Sequence, residues 1–396
     1  MKVLVINAGS SSLKFRLYDM PAEQLVCAGI VERIGDENSS IHCTSIRHGE
    51  ETKSDQPLPI ADHAVAMREI VRLISHPPHG MLQSPDDIQL ISHRVVHGGD
   101  QFAGPALITP EVLEKIKQLI PFAPMHNPIS YRSIEVASAF FPKARQVAVF
   151  DTAFHHALPA EAIHYAIPKS YFRQDKIRAY GFHGISHKYV AEQARALLQR
   201  QDAKLISLHL GNGCSAAAIA GDQPMDTSMG FSPVSGLVMG TRSGDIDPSV
   251  ILHLMIHHGY SVEYIDNVLN KQSGLQGLCG LSDMRDIDQA AEQGNVDAQF
   301  ARTIYAYRIK KYIGAYMAVL NGLDAVIFTA GVGEHDSSMR ALVCHNLSHL
   351  GIEIDPVLNG MPTTGIRAIQ SGNLPVKVLV IPTNEELEIA RQSMTI

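Results

Sequence analysis

Apolar residues in this chain fall in short runs that break off at small polar turns. Val3-Leu4-Val5-Ile6 runs into the turn Asn7-Ala8-Gly9-Ser10-Ser11-Ser12, after which Leu13, Phe15 and Leu17 alternate with other residues. A period of two marks a strand with one buried face, so the segment predicts strand, tight turn, strand. A similar layout recurs at 205–226, in LISLHLGNGCSAAAIAGDQPMD, where Leu205–Leu210 runs into Gly211-Asn212-Gly213. Two such hairpins predict two halves that close on a nucleotide.

The other elements are read the same way. Ile88–Ile91 predicts a strand, followed by the polar cluster Ser92-His93-Arg94-Val95-Val96-His97-Gly98-Gly99. Thr109-Pro110-Glu111 combines an N-cap, a first-turn proline and a first-turn acid, and opens a helix to about Leu119. Gln146–Phe150 predicts a buried strand ending at Asp151, and Ser186 begins a helix. Asp247-Pro248 starts a helix that stops near Gly259, and Asp297–Leu320 is a long amphipathic helix. Ala325–Phe328 is a strand leading to a third glycine turn, Ala330-Gly331-Val332-Gly333. Val376–Ile381 is the last strand, before Thr383-Asn384-Glu385-Glu386 and a terminal helix. Strands alternating with helices place the chain in the α/β class. At 396 residues it exceeds the usual single core. We expect one domain at 1–151 plus 384–396 and a second at 152–383.

Charge narrows the partners. The formal net charge of −7, from 33 basic and 40 acidic residues, argues against broad nucleic-acid binding. The five cysteines are scattered with no CxxC, which fits a reducing cytosol. No apolar stretch approaches the ~18 residues of a membrane span. The expected location is therefore cytoplasmic, with no membrane partner.

The standard phosphate loop and the dinucleotide fingerprint are both missing. What remains is three glycine-containing turns after apolar strands, and together they point to ATP. Along an extended strand Ser10, Ser12 and Lys14 face one side and could meet one phosphate chain. Moving a phosphoryl group calls for positive donors on the transferred charge. Arg94 and Arg242 supply guanidinium forks, His183 lies between glycines and could donate to the same phosphoryl oxygens, and Asp151 could hold an arginine or a proton. Asn7 and Glu385 offer oxygen ligands for Mg²⁺, directly or through water. His93/His97 and His183/His187 have i,i+4 spacing, but with no HExxH and no clustered carboxylates a zinc site is set aside.

In order along the chain stand NAGSSSLKF, HRVVHGG, APMHNP, VFDTAFH, YGFHGISH, HLGNG, DTSMGFSP, GTRSGDIDP, FTAGVGE and IPTNEE. This series closely resembles the acetate kinases, from about Val3 to Glu388. The resemblance implies a duplicated ribonuclease-H-like, actin-like ATPase fold with an interdomain active-site cleft, and a homodimer. It implies direct in-line, reversible transfer of the ATP γ-phosphoryl to acetate, giving acetyl phosphate and ADP, with Mg²⁺ or Mn²⁺ as the metal. By motif, Asn7 and Glu385 resemble the metal contacts, and Arg94 the carboxylate-binding arginine. His183 and Arg242 resemble the transition-state stabilisers. Asp151 resembles the residue given a proton-transfer role, but acetate is already ionised at neutral pH; we read Asp151 as orienting Arg94, Arg242 or a metal-bound water. Lys14, His209-Leu210-Gly211-Asn212-Gly213, Asp283-Met284-Arg285 and Gly331-Val332-Gly333-Glu334-His335 resemble the ATP segments. His335 departs from the asparagine usual there. Val96, Met125, Phe182 and Pro233 match the pocket for the acetate methyl, with Met125 where leucine is common. Propionate kinases, the alternative reading, often carry alanine at the Val96 position; valine favours acetate.

Overall fold

The computed structural model describes residues 1–9, 11–47, 49–76, 80–362 and 364–396. The chain divides into two compact units, Met1–His156 with Asn384–Ile396, and Ala157–Thr383.

The first unit is built on β1 (Lys2–Ala8), β2 (Ser12–Asp19), β3 (Gln24–Glu32), β4 (Ser40–Arg47), β5 (Glu50–Pro57), β6 (Ile88–Val95), β7 (Ala106–Leu107) and β8 (Arg145–Phe150). They lie in the order β5-β4-β3-β2-β1-β6-β8-β7. Strands β1 to β5 form an antiparallel meander, while β6 runs parallel to β1 and β8 parallel to β6. Parallel neighbours need crossovers, supplied by the helices His63–Ser75 and Asn127–Phe140. Val3 to Ile6 are buried on both faces of β1, which is why that run is continuous rather than alternating. On β2 only Leu13, Phe15 and Leu17 face the main core, beside Leu4, Ile6, Met67 and Ile70. The edge strand β5 is polar, GluGluThrLysSerAspGlnPro in sequence, and largely exposed.

The second unit holds β9 (Lys204–Leu210), β10 (Cys214–Ala220), β11 (Gln223–Thr227), β12 (Ala325–Thr329), β13 (Arg367–Ala368) and β14 (Lys377–Val380), in the order β11-β10-β9-β12-β14-β13. Here β9, β12 and β14 are parallel and β9-β10-β11 antiparallel. The orders β3-β2-β1-β6-β8 and β11-β10-β9-β12-β14 are one pattern used twice. In such sheets ligands bind beyond the carboxyl ends of the parallel strands. Those ends carry Asn7, Arg94 and Asp151 in one unit, and His209 and Ala330 in the other.

Three sequence readings are corrected. The cluster expected to follow the Ile88–Ile91 strand lies partly inside it: β6 continues to Val95, because Gln146 on β8 hydrogen-bonds the buried His93 ring at 2.6 Å. The helix expected from Ser186 starts at Gly184, with His183 as its cap in left-handed backbone (φ 55°). The third glycine segment, expected as a turn, is the helix Ala330–His335. Among the described residues no helix is long and apolar enough to cross a membrane.

Candidate active site

At the strand ends of the first unit, Arg94 donates from Nη2 to Asp151 Oδ2 at 2.9 Å and from Nη1 to Asn7 Oδ1 at 3.3 Å. Asp151 follows β8, and its own N–H donates to the Val95 carbonyl, so backbone fixes where its carboxylate stands. Burial works against the charge on Arg94, but Asp151 and Glu385 outweigh it and hold the guanidinium above the ordinary arginine value. Glu385 opens the helix Glu385–Ser393, whose cap Asn384 is held by Arg16 Nη1 at 2.9 Å. Burial pushes the Glu385 carboxyl up to about 7; Asp151 adds to this, whereas Arg94 and Lys14 oppose it. Lys14 is the direct partner of Asn7 across the β1-β2 pair. The set Asn7, Lys14, Arg94, Asp151 and Glu385 thus gathers at one end of the sheet. Ser12 lies on β2 with Lys14, and Ser10 is outside the described residues.

The loop after β6 is pinned by polar groups. Asn127 accepts from the His97 N–H at 3.1 Å and returns a bond to the His97 carbonyl at 3.0 Å. Thr152 Oγ1 accepts from the Gly98 N–H at 2.9 Å. This holds Val96, which is buried, in a fixed place. Met125 is 57% exposed in this unit. Phe182 is buried in the second unit, and Pro233 there accepts from Arg242 Nη1 at 3.3 Å.

In the second unit His183 and Arg242 converge on Gly213. A Cβ built on Gly213 would lie 3.5 Å from His183 Nε2 and 3.8 Å from Arg242 Nη1. Arg242 has no carboxylate partner among the described residues, and burial lowers its pKa. A desolvated guanidinium in this state favours an anionic guest. His183 stacks on His209 with ring centroids 4.2 Å apart, and its Nδ1 is 2.9 Å from Ser215 Oγ.

Beside these residues opens a cavity of about 670 Å³, lined by Gly211, Asn212, Asp283, Met284, Arg285, Gly331, Val332 and His335, among others. Most of the segments matched to ATP by sequence therefore meet on one wall system, of the size usual for a small-molecule site. Asp283 and Arg285 form an exposed fork there (2.6 Å), which holds Asp283 at about 2. Asp288, also on the wall, is pushed up to about 6 by burial and Asp336, with Arg302 opposing. Of the matched residues in this unit, His209, Leu210, Gly213, Gly333 and Glu334 are not on that wall. Leu210 is fully buried. Glu334 spends Oε1 on the N–H groups of Ala330 (2.9 Å) and Thr383 (3.1 Å). Sequence reasoning missed Ser207, Ser215 and the role of His187. The His183/His187 spacing was visible in the sequence, but it carried no trace of the two serines, which reach His187 from strands β9 and β10. Among the described residues no group of three or more His, Cys, Asp or Glu is placed to hold a metal.

One strand pattern used twice, with polar strand ends in both units and a cavity in the second, defines a protein of the duplicated actin-like ATPase fold. The chain belongs to the Acetokinase family, whose model matches residues 2–391. It is 48% identical over 392 residues to an acetate kinase of Flavobacterium johnsoniae, covering 99% of this chain and 98% of that one. Among solved structures it is similar to Porphyromonas gingivalis acetate kinase (TM-score 0.91, 40% identity, 100% and 99% covered). A propionate kinase from Francisella tularensis is similar too (TM-score 0.93, 41% identity, 100% and 99% covered).

Proposed function

We propose that this protein is a kinase that transfers the γ-phosphoryl of ATP to acetate, reversibly, giving acetyl phosphate and ADP. An acetate oxygen attacks phosphorus in line, the bond from the γ-phosphorus to the bridging oxygen breaks, and ADP leaves. Family membership supports the reaction, and one observation supports the assignment of roles. Arg242, a desolvated cation without a carboxylate partner among the described residues, faces the same point beside Gly213 as His183, two residues along the chain from Gly211 on the cavity wall. Both are suited to the charge on a transferring phosphoryl group. Arg94, oriented by Asp151 and Asn7, takes the acetate carboxylate. Asp151 needs no proton-transfer role, because its carboxylate is already committed to Arg94. The cavity takes the nucleotide.

Asn7 and Glu385 suit a hard cation that keeps most of its waters, since both offer oxygen and a cation would offset the burial that raises the Glu385 carboxyl to about 7. Mg²⁺ or Mn²⁺ there would neutralise phosphate charge. A cytoplasmic location and a homodimer extend the reading. The helix Pro248–His258 has no buried residue and exposes Leu252 and Ile256, an apolar face that supports self-association. Sedimentation velocity reads the assembly state.

The deciding experiment traps acetyl phosphate as the hydroxamate from ATP, Mg²⁺ and acetate. Acetate-dependent product, lost in Arg242→Ala chiefly through kcat, is expected; ATP hydrolysis without it overturns the reading. The likeness to the Francisella propionate kinase keeps propionate as a second acceptor, and a kcat/KM ratio favouring propionate would replace acetate.

A further inference from the structure

Three side chains of the second unit form a hydrogen-bonded row behind His183. Ser207 Oγ is 2.9 Å from His187 Nδ1, His187 Nε2 is 2.7 Å from Ser215 Oγ, and Ser215 Oγ is 2.9 Å from His183 Nδ1. Ser207, His187 and Ser215 are fully buried. The fold explains the row. Ser215 on β10 pairs directly with His209 on β9, and Ser207 lies two residues before His209, so all three project from one sheet face. The helix Gly184–Leu198 carries His187 one turn beyond the cap residue His183.

A neutral imidazole has one N–H, and a hydroxyl has one O–H. With the Ser215 hydroxyl hydrogen kept within the row, two directions are consistent. In one, His183 Nδ1 donates to Ser215, Ser215 to His187, and His187 to Ser207. His183 Nε2 is then a bare lone pair turned toward Gly213. In the other, Ser207 donates to His187 Nδ1, His187 Nε2–H to Ser215, and Ser215 O–H to His183 Nδ1. His183 Nε2 then carries the proton and points it at the space beside Gly213 that Arg242 Nη1 also faces. An anion held by Arg242 is repelled by the first arrangement and bonded by the second.

We infer that Ser215 and His187 are positioning residues that hold His183 as the Nε2–H tautomer, a neutral donor aimed at the phosphoryl group. The inference rests on the proposed transfer for its purpose, but not for its measurement. The left-handed backbone of His183 sets where the ring starts, and Ser215 sets how it is turned and where its proton sits.

Two measurements test it. Long-range ¹H–¹⁵N spectra of the wild-type protein at neutral pH, with His183 assigned from His183→Gln, should show the proton on Nε2. A proton on Nδ1 overturns the inference. Ser215→Ala should lose that preference and lower kcat about 10- to 100-fold, less than the loss of a whole oxyanion donor. KM for ATP and acetate should stay within about threefold, and Ser215→Thr, which keeps the hydroxyl, should restore kcat. A folded Ser215→Ala protein with unchanged kcat also overturns it. Wild-type protein that makes no hydroxamate would sink the proposed reaction while leaving the tautomer result to stand. Turnover with the proton on Nδ1 would sink this inference alone.

Discussion

Asp151 accepts a 2.9 Å hydrogen bond from Arg94 Nη2 while only 1% of its side chain meets solvent. Such a carboxylate is committed to its guanidinium. Asp151→Ala leaves a largely buried charge unpaired, a change that costs about 3–5 kcal/mol. We expect a lower urea midpoint and a raised KM for acetate. Asp151→Asn, which keeps the shape, should lose less stability. A midpoint unmoved in Asp151→Ala contradicts the assignment.

Gly213 is open where His183 and Arg242 meet. An added Cβ would make only ordinary contacts of 3.4–3.8 Å there, and Gly213 has no left-handed φ. Gly213→Ala should therefore fold with an unchanged Tm. It should still occupy space needed by a phosphoryl oxygen and lower kcat by about tenfold or more. Full activity would move the anion elsewhere.

Gly274 carries the opposite expectation. It adopts φ +62°, and a Cβ there would stand 2.1 Å from the Met239 carbonyl and 2.6 Å from that of Arg242. Gly274→Ala must shift the turn that presents Arg242. Both Tm and kcat should fall, and a protein with wild-type values for both would show that this turn has room to spare.

Val96 is held by the pinned loop after β6. Removing two methyl groups in Val96→Ala should raise the propionate-to-acetate ratio of kcat/KM by about tenfold, the scale of a methylene in an apolar pocket. An unchanged ratio would detach Val96 from the acyl group.

Buried histidines set an acid limit on stability. Burial pushes His93 down to about 4, against the Gln146 hydrogen bond, and His97 also down to about 4. In the unfolded chain both titrate near ~6.5. Between these values the unfolded state binds more protons, so stability falls as pH falls. The slope reaches about 1.4 kcal/mol per pH unit for each such histidine, and the loss is complete below about 4. Urea midpoints taken from pH 7 to 4 should show this, with a shallower slope in His93→Gln.

Much of the frame was legible in the residues. The run Val3–Ile6 became the central strand β1, apolar throughout because both faces are covered, and Leu205–Leu210 became β9, where the buried Ser207 and His209 are tolerated because each is hydrogen-bonded. Thr109 and Asp247 cap helices through their side chains, as their chemistry requires. Strands β3 to β5 were not singled out, since their patterning is weak and β5 is polar. His93 and Arg94 look like loop residues, yet they continue β6: the strand buries their polar atoms against Gln146, Asp151 and Asn7. Ser207, His187 and Ser215 escaped notice because their meeting depends on strand register and helix placement. No local spacing encodes either.

The outermost strand of the larger sheet has a bearing on how the protein keeps company with itself. Glu50, Glu51, Lys53 and Asp55 crowd β5, and Pro57 ends it. A rim so charged is a poor template for a further strand. Concentrated solutions should thus be protected from end-to-end fibre growth along this rim, and replacing Glu51, Lys53 and Asp55 by valine would remove that safeguard.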